Sequence, residues 1–165
     1  FDGLQRPIQL YVGRVAVEKN IEAFLNTAQP GTKVIVGDGP ALGDLRARHT
    51  DALFLGKLGG EMLARAYAGA DVFVFPSRTD TFGLVMIEAM ACGTPVAAYP
   101  VTGPIDILTP ETGAMDEDLS VAIRTALDLD RAVCAAHGAD FTWAESARQF
   151  LDALEPIRTA VPLAA

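Results

Sequence analysis

Two carboxylates, Asp80 and Glu88, stand with seven residues between them in the stretch Phe75-Pro76-Ser77-Arg78-Thr79-Asp80-Thr81-Phe82-Gly83-Leu84-Val85-Met86-Ile87-Glu88-Ala89-Met90-Ala91-Cys92-Gly93-Thr94-Pro95-Val96. Two cations, Arg14 and Lys19, stand near the start of the chain in Tyr11-Val12-Gly13-Arg14-Val15-Ala16-Val17-Glu18-Lys19-Asn20. A carboxylate accepts from two vicinal hydroxyls at once, so the acidic pair suits a sugar or a ribose. Arg as a fork and Lys as a point charge suit a phosphate.

Val72 to Phe75 is an apolar run that reads as a buried parallel strand, and Leu84, Ile87, Met90 and Ala91 repeat at helical spacing. Asp80 therefore falls in the loop at a strand's carboxyl end, where open α/β sheets bind ligands, and Glu88 falls on the helix that follows. The unpaired amides of Phe82, Gly83 and Leu84 at that helix start offer a dipole to an anion, and Gly83 lets a ligand approach the backbone. Glu88 stands among Ile87, Ala89 and Met90, where an unpaired charge is expensive, so the sequence predicts either a working carboxylate or a buried, paired one.

The segment Ser77 to Val96 resembles the signature of the family 4 retaining glycosyltransferases, an acidic residue followed by x-Phe-Gly and then by Glu-Ala-Met-Ala-x-Gly-x-Pro-Val. The block Gly13-Arg14…Glu18-Lys19-Asn20 is similar to a second motif of that family. The family usually carries Glu where this chain has Asp80. The resemblance implies a retaining hexosyltransferase of polysaccharide or glycolipid assembly with a nucleotide-sugar donor, UDP- or GDP-linked. It assigns catalytic roles to Arg14, Lys19 and Asp80, with the two cations on the diphosphate and Asp80 on donor-sugar hydroxyls. It places Gly13, Phe82, Gly83 and Leu84 in the donor site and Glu88 on the ribose. It also implies that Phe54 to Leu58 contacts the base through its main chain, and that the closing helix packs on the other half of a two-domain enzyme. No cofactor and no metal are expected, because cations and amides meet the charge on a leaving diphosphate.

Composition sets the frame for these residues. With 165 residues and 50% hydrophobic content, the chain reads as one domain, 1–165, with enough apolar surface for a core. Its net charge of −8 opposes nonspecific attraction to nucleic acid or anionic lipid, so a phosphate must be held locally. Apolar runs stop well short of a membrane span and no signal peptide opens the chain, so a cytoplasmic protein is expected. The first residue is Phe1 and a strand follows at once, which reads as an excised C-terminal piece whose acceptor-binding N-terminal domain is missing. Such a piece is expected to bind donor and to transfer nothing.

The alternation of elements predicts an α/β fold, a Rossmann-like doubly wound parallel sheet with C-terminal helices, one half of a GT-B glycosyltransferase. Strands are expected at Ile8–Val12, Lys33–Val36, Ala52–Leu55, Val72–Phe75 and Val96–Ala98. Helices are expected near Asn20–Thr27, Leu42–His49, Glu61–Ala68, Leu84–Ala91, Asp116–Leu127, Arg131–Ala139 and Thr142–Leu154, the last opened by a Thr142/Glu145 capping box, with Thr159–Ala165 frayed. Gly37-Asp38-Gly39-Pro40 lacks the ending of a P-loop and reads as a tight turn. Cys92 and Cys134 read as small buried residues and His49 and His137 as solvent-facing ones. The rival functions are a nucleotide-sugar epimerase of the same fold and a non-catalytic nucleotide-binding module; a dehydrogenase lacks its Gly-x-Gly-x-x-Gly after the first strand.

Overall fold

The computed structural model describes residues 1–155, so the expected frayed tail lies outside them. Six strands form one parallel sheet: β1 (Ile8–Val12), β2 (Thr32–Val36), β3 (Leu53–Gly56), β4 (Val72–Phe75), β5 (Val96–Ala98) and β6 (Gly113–Met115). Their order is β3-β2-β1-β4-β5-β6. The chain starts at the centre, builds outward to β3, then returns to the other side of β1. That reversal between β1 and β4 opens a crevice at the carboxyl ends of the two strands.

Among the described residues eight α-helices connect and cover the sheet, with a 3-10 turn at Val17–Lys19 ahead of the first: α1 (Ile21–Leu25), α2 (Leu42–Arg48), α3 (Gly60–Gly69), α4 (Leu84–Ala91), α5 (Pro104–Ile107), α6 (Leu119–Ala126), α7 (Arg131–Asp140) and α8 (Trp143–Asp152). Strands β1 and β4 are buried along their whole length, as expected of strands covered on both faces. One face, with Leu10, Phe73 and Phe75, packs on Tyr67 of α3 and on Met86 and Met90 of α4. The other, with Tyr11, Ile35 and Val74, packs on Phe24 of α1 and Ile123 of α6.

Two elements depart from expectation. After Tyr99 the sequence predicts helices alone, yet the four-residue helix α5 and the edge strand β6 intervene. Gly-Ala-Met is too short to show a period and lacks β-branched residues, so its strand character comes from pairing with Val96–Ala98 of β5. The capping box of α8 is half formed. Thr142 Oγ1 accepts from Glu145 N at 3.1 Å, but the Glu145 carboxylate turns to Arg148 instead of the Thr142 amide.

The histidines also differ from the solvent-facing expectation. His137 Nε2 lies 3.0 Å from the Ile107 carbonyl oxygen, with its ring edge-on to Phe141, and the His49 side chain folds back beside Glu22 and is 13% exposed. Cys134 is buried and Cys92 half-buried, and both are free thiols. Among the described residues no helix is long and apolar enough to cross a membrane. The apolar face of α8 is uncovered: Trp143, Phe150 and Leu151 are exposed.

Candidate functional site

The loop after β1 is held by backbone packing against the loop after β2. Gly13 N donates to Val36 O (3.0 Å) and Val15 N to Asp38 O (2.9 Å). A Cβ at Gly37 would fall 1.8 Å from Gly13 O, so only glycine permits this approach. The Tyr11 hydroxyl, on a ring 3% exposed, donates to Arg14 O at 2.8 Å and fixes where the Arg14 side chain leaves the loop. Burial, then the nearby charges of Asp80 and Glu18, push the Tyr11 phenol up and keep it a donor. Asn20, in the left-handed region at φ +53°, closes the loop and donates from Nδ2 to Pro76 O (3.1 Å), tying it to the loop after β4.

That second loop is anchored at both ends. Ser77 is buried, and the Arg78 guanidinium lies 3.7 Å above the Tyr99 ring while bonding Glu117 at 3.0 Å. Gly83 caps α4 at φ +90° and ψ +60°, with the space a Cβ would need taken by Met86 Cε (2.7 Å) and Phe75 Cζ (3.1 Å). At this end of α4 the first intrachain bond runs from Met86 N to Gly83 O. The amides of Phe82, Gly83 and Leu84 therefore have no acceptor among the described residues.

Between the loops lies a cleft of about 630 Å³. Of the residues singled out in the sequence, Gly13, Arg14, Lys19, Asp80, Phe82, Gly83 and Leu84 line it. Lys19 Nζ pairs with Asp80 Oδ1, each side chain about a quarter exposed, while Arg14 pairs at 3.3 Å with Glu18 on the surface. A neighbouring cavity of about 500 Å³ shares Gly13 and Arg14 and extends to Gly37, Asp38, Lys57 and Leu58. Within the Gly37–Pro40 turn, Gly37, Asp38 and Gly39 thus line the neighbouring cavity and not the cleft itself.

Glu88 is not among the cleft's lining residues; it lies one helical turn beyond Leu84. Of the two alternatives for Glu88, a working carboxylate or a buried, paired one, burial is ruled out. Its side chain is exposed, because its apolar neighbours in sequence point elsewhere around α4, and its Oε2 accepts from the Tyr67 hydroxyl at 2.9 Å. Three supporting residues escaped attention in the sequence: Tyr11, Asn20 and Tyr67. The first two are the end residues of the Tyr11–Asn20 stretch, but nothing in a linear pattern ties Tyr67 to a residue 21 positions away.

The fold is the Rossmann-like half of a GT-B glycosyltransferase. It superposes on the apo form of the lipopolysaccharide outer core galactosyltransferase WaaB with a TM-score of 0.76 at 18% identity, covering 89% of this chain and 48% of that one. The chain belongs to the family described as glycosyl transferases group 1, whose match spans residues 6–136. It is 41% identical over 133 residues to a GDP-mannose-dependent alpha-mannosyltransferase of Mycolicibacterium smegmatis, covering 79% of this chain and 32% of the relative. It is 34% identical over 163 residues to the D-inositol 3-phosphate glycosyltransferase of the same organism, covering 84% and 38%. The chain spans between 21% and 38% of the length of the curated relatives it matches.

Proposed function

We propose that this chain is the C-terminal, donor-binding half of a retaining glycosyltransferase and that its donor is a nucleoside diphosphate sugar seated in the cleft between the β1 and β4 loops. The observation that carries this reading is the gathering of Arg14, Lys19, Asp80 and the free amides of Phe82–Leu84 around one cleft at the reversal of the sheet. GDP-mannose is the first donor to test, since the relative matched over 79% of the chain is GDP-mannose-dependent. The family match gives the epimerase alternative no support.

Cleavage of the bond from the anomeric carbon to the diphosphate leaves negative charge on the leaving phosphate and positive charge on the sugar. Arg14 swings from its exposed partner Glu18 to the phosphates, Lys19 is shared between Asp80 and the phosphate oxygens, and the α4 amides face the same anion. Asp80 accepts from hydroxyls of the transferred sugar and Glu88 from the ribose. The acceptor and any group that orients it belong to an N-terminal domain outside this sequence, so the chain alone binds donor and transfers nothing.

Thermal-shift titration with GDP, UDP, ADP and NAD tests this reading. Stabilisation by a nucleoside diphosphate, with no sugar transfer by the chain to added acceptors, is the expected outcome. Stabilisation by NAD alone, or transfer above the buffer rate, overturns it.

A further inference from the structure

The contact between α3 and α4 carries one more assignment, which rests on the donor reading above. Tyr67 is 1% exposed, its ring set edge-on against Phe73 with centroids 5.7 Å apart. Its backbone carbonyl accepts from Thr94 Oγ1 at 2.6 Å, so backbone and ring are both fixed. The hydroxyl emerges at the edge of the core and donates to Glu88 Oε2 at 2.9 Å. Glu88 Oε1 accepts nothing among the described residues.

We infer that Tyr67 is a positioning residue for Glu88: its immobile hydroxyl occupies one carboxylate oxygen and holds the other where a ribose diol meets it. An exposed glutamate on a helix samples many rotamers, and ordering it when ligand arrives costs affinity. A donor rooted in the core removes much of that cost beforehand. The direction of the bond is set as well, because an ionised carboxylate accepts and a phenol donates. Burial and the Glu88 charge push the phenol up, which keeps its proton in place.

A buried tyrosine hydroxyl also needs a partner for its own sake. The two roles separate through the ribose. Calorimetry compares GDP with 2′,3′-dideoxy-GDP on the native chain and on Tyr67→Phe, Glu88→Gln and the double variant. The native chain is expected to prefer GDP about tenfold, as a hydrogen bond to a charged group allows. Tyr67→Phe is expected to cut that preference to about threefold, leaving dideoxy-GDP affinity unchanged, and to have no effect in the Glu88→Gln background.

Equal loss of both nucleotides in Tyr67→Phe, or no loss of either while Glu88→Gln removes the preference, overturns the positioning role and leaves the ribose reading standing. An unchanged preference in Glu88→Gln overturns both. A melting temperature lowered by Tyr67→Phe with the preference intact assigns the hydroxyl to stability alone, and also overturns the inference.

Discussion

The ammonium of Lys19 sits against the carboxylate of Asp80, 61 residues further along the chain, so a cation proposed for the phosphate and a carboxylate proposed for the sugar neutralise one another across the cleft. A diphosphate entering there meets a lysine already engaged and a negative charge beside it. Asp80→Asn removes both obstacles. It is expected to tighten plain GDP by about 1 kcal/mol, the scale of a partly exposed ion pair, while weakening the nucleotide sugar relative to GDP. Calorimetry with GDP and GDP-mannose decides; looser GDP binding in Asp80→Asn counts against the shared-lysine account.

Arg14 and Lys19 differ in what they must give up. Arg14 leaves a half-exposed surface pair with Glu18, which costs little, whereas Lys19 leaves a more enclosed partner. Arg14→Ala is expected to weaken GDP by about 1.5–3 kcal/mol and Lys19→Ala by less, with guanosine affinity unchanged in both. Equal losses for GDP and guanosine show that neither residue clamps the phosphates.

Gly83 joins fold to site most tightly. Gly83→Ala places a methyl 2.7 Å from Met86 Cε at a φ of +90° that L-residues rarely adopt. It is expected to cost about 1–3 kcal/mol in urea denaturation and to weaken GDP, because relief requires moving the amides at the start of α4. Wild-type stability in this variant contradicts the close packing.

The first turn of α8 responds to acid. Hydrogen bonds from Arg148 and then Gln149 hold the Glu145 carboxyl down at about 2, against 4.5 for a free side chain. A carboxylate depressed by folding stabilises the folded form above its free value, and that contribution fades as the pH falls through 4.5 toward 2. Carbon chemical shifts of Ala144 and Ala147 are expected to move toward coil in that window, and Glu145→Gln is expected to abolish the change. A shift centred above pH 5 points to another group.

How much the sequence discloses depends on the length of the pattern that carries it. The four-residue apolar run Val72–Phe75 and the helical spacing from Leu84 to Ala91 match β4 and α4 at both ends. Strand β6 is three residues long and α5 four, below the length at which a period exists, and both are made by what surrounds them. The cleft residues were legible because they cluster in two short blocks. The surroundings of Glu88 are not legible from Ile87, Ala89 and Met90, because neighbours in sequence point to different sides of a helix. Its real neighbour, Tyr67, comes from α3, and only the packing of α3 on α4 brings the two together.

The reversal of strand order makes the crevice a seam between two halves of the chain. Strands β1 and β4 share only the register pairs Gln9–Val72 and Leu10–Phe73 along that seam. Above it, the Lys19–Asp80 ion pair and the Asn20–Pro76 bond act as stitches. A ligand held by both loops adds another stitch and resists any shear of one half against the other. Filling the cleft is then expected to couple the two halves of the chain more tightly, read as slower amide exchange along the β1–β4 seam.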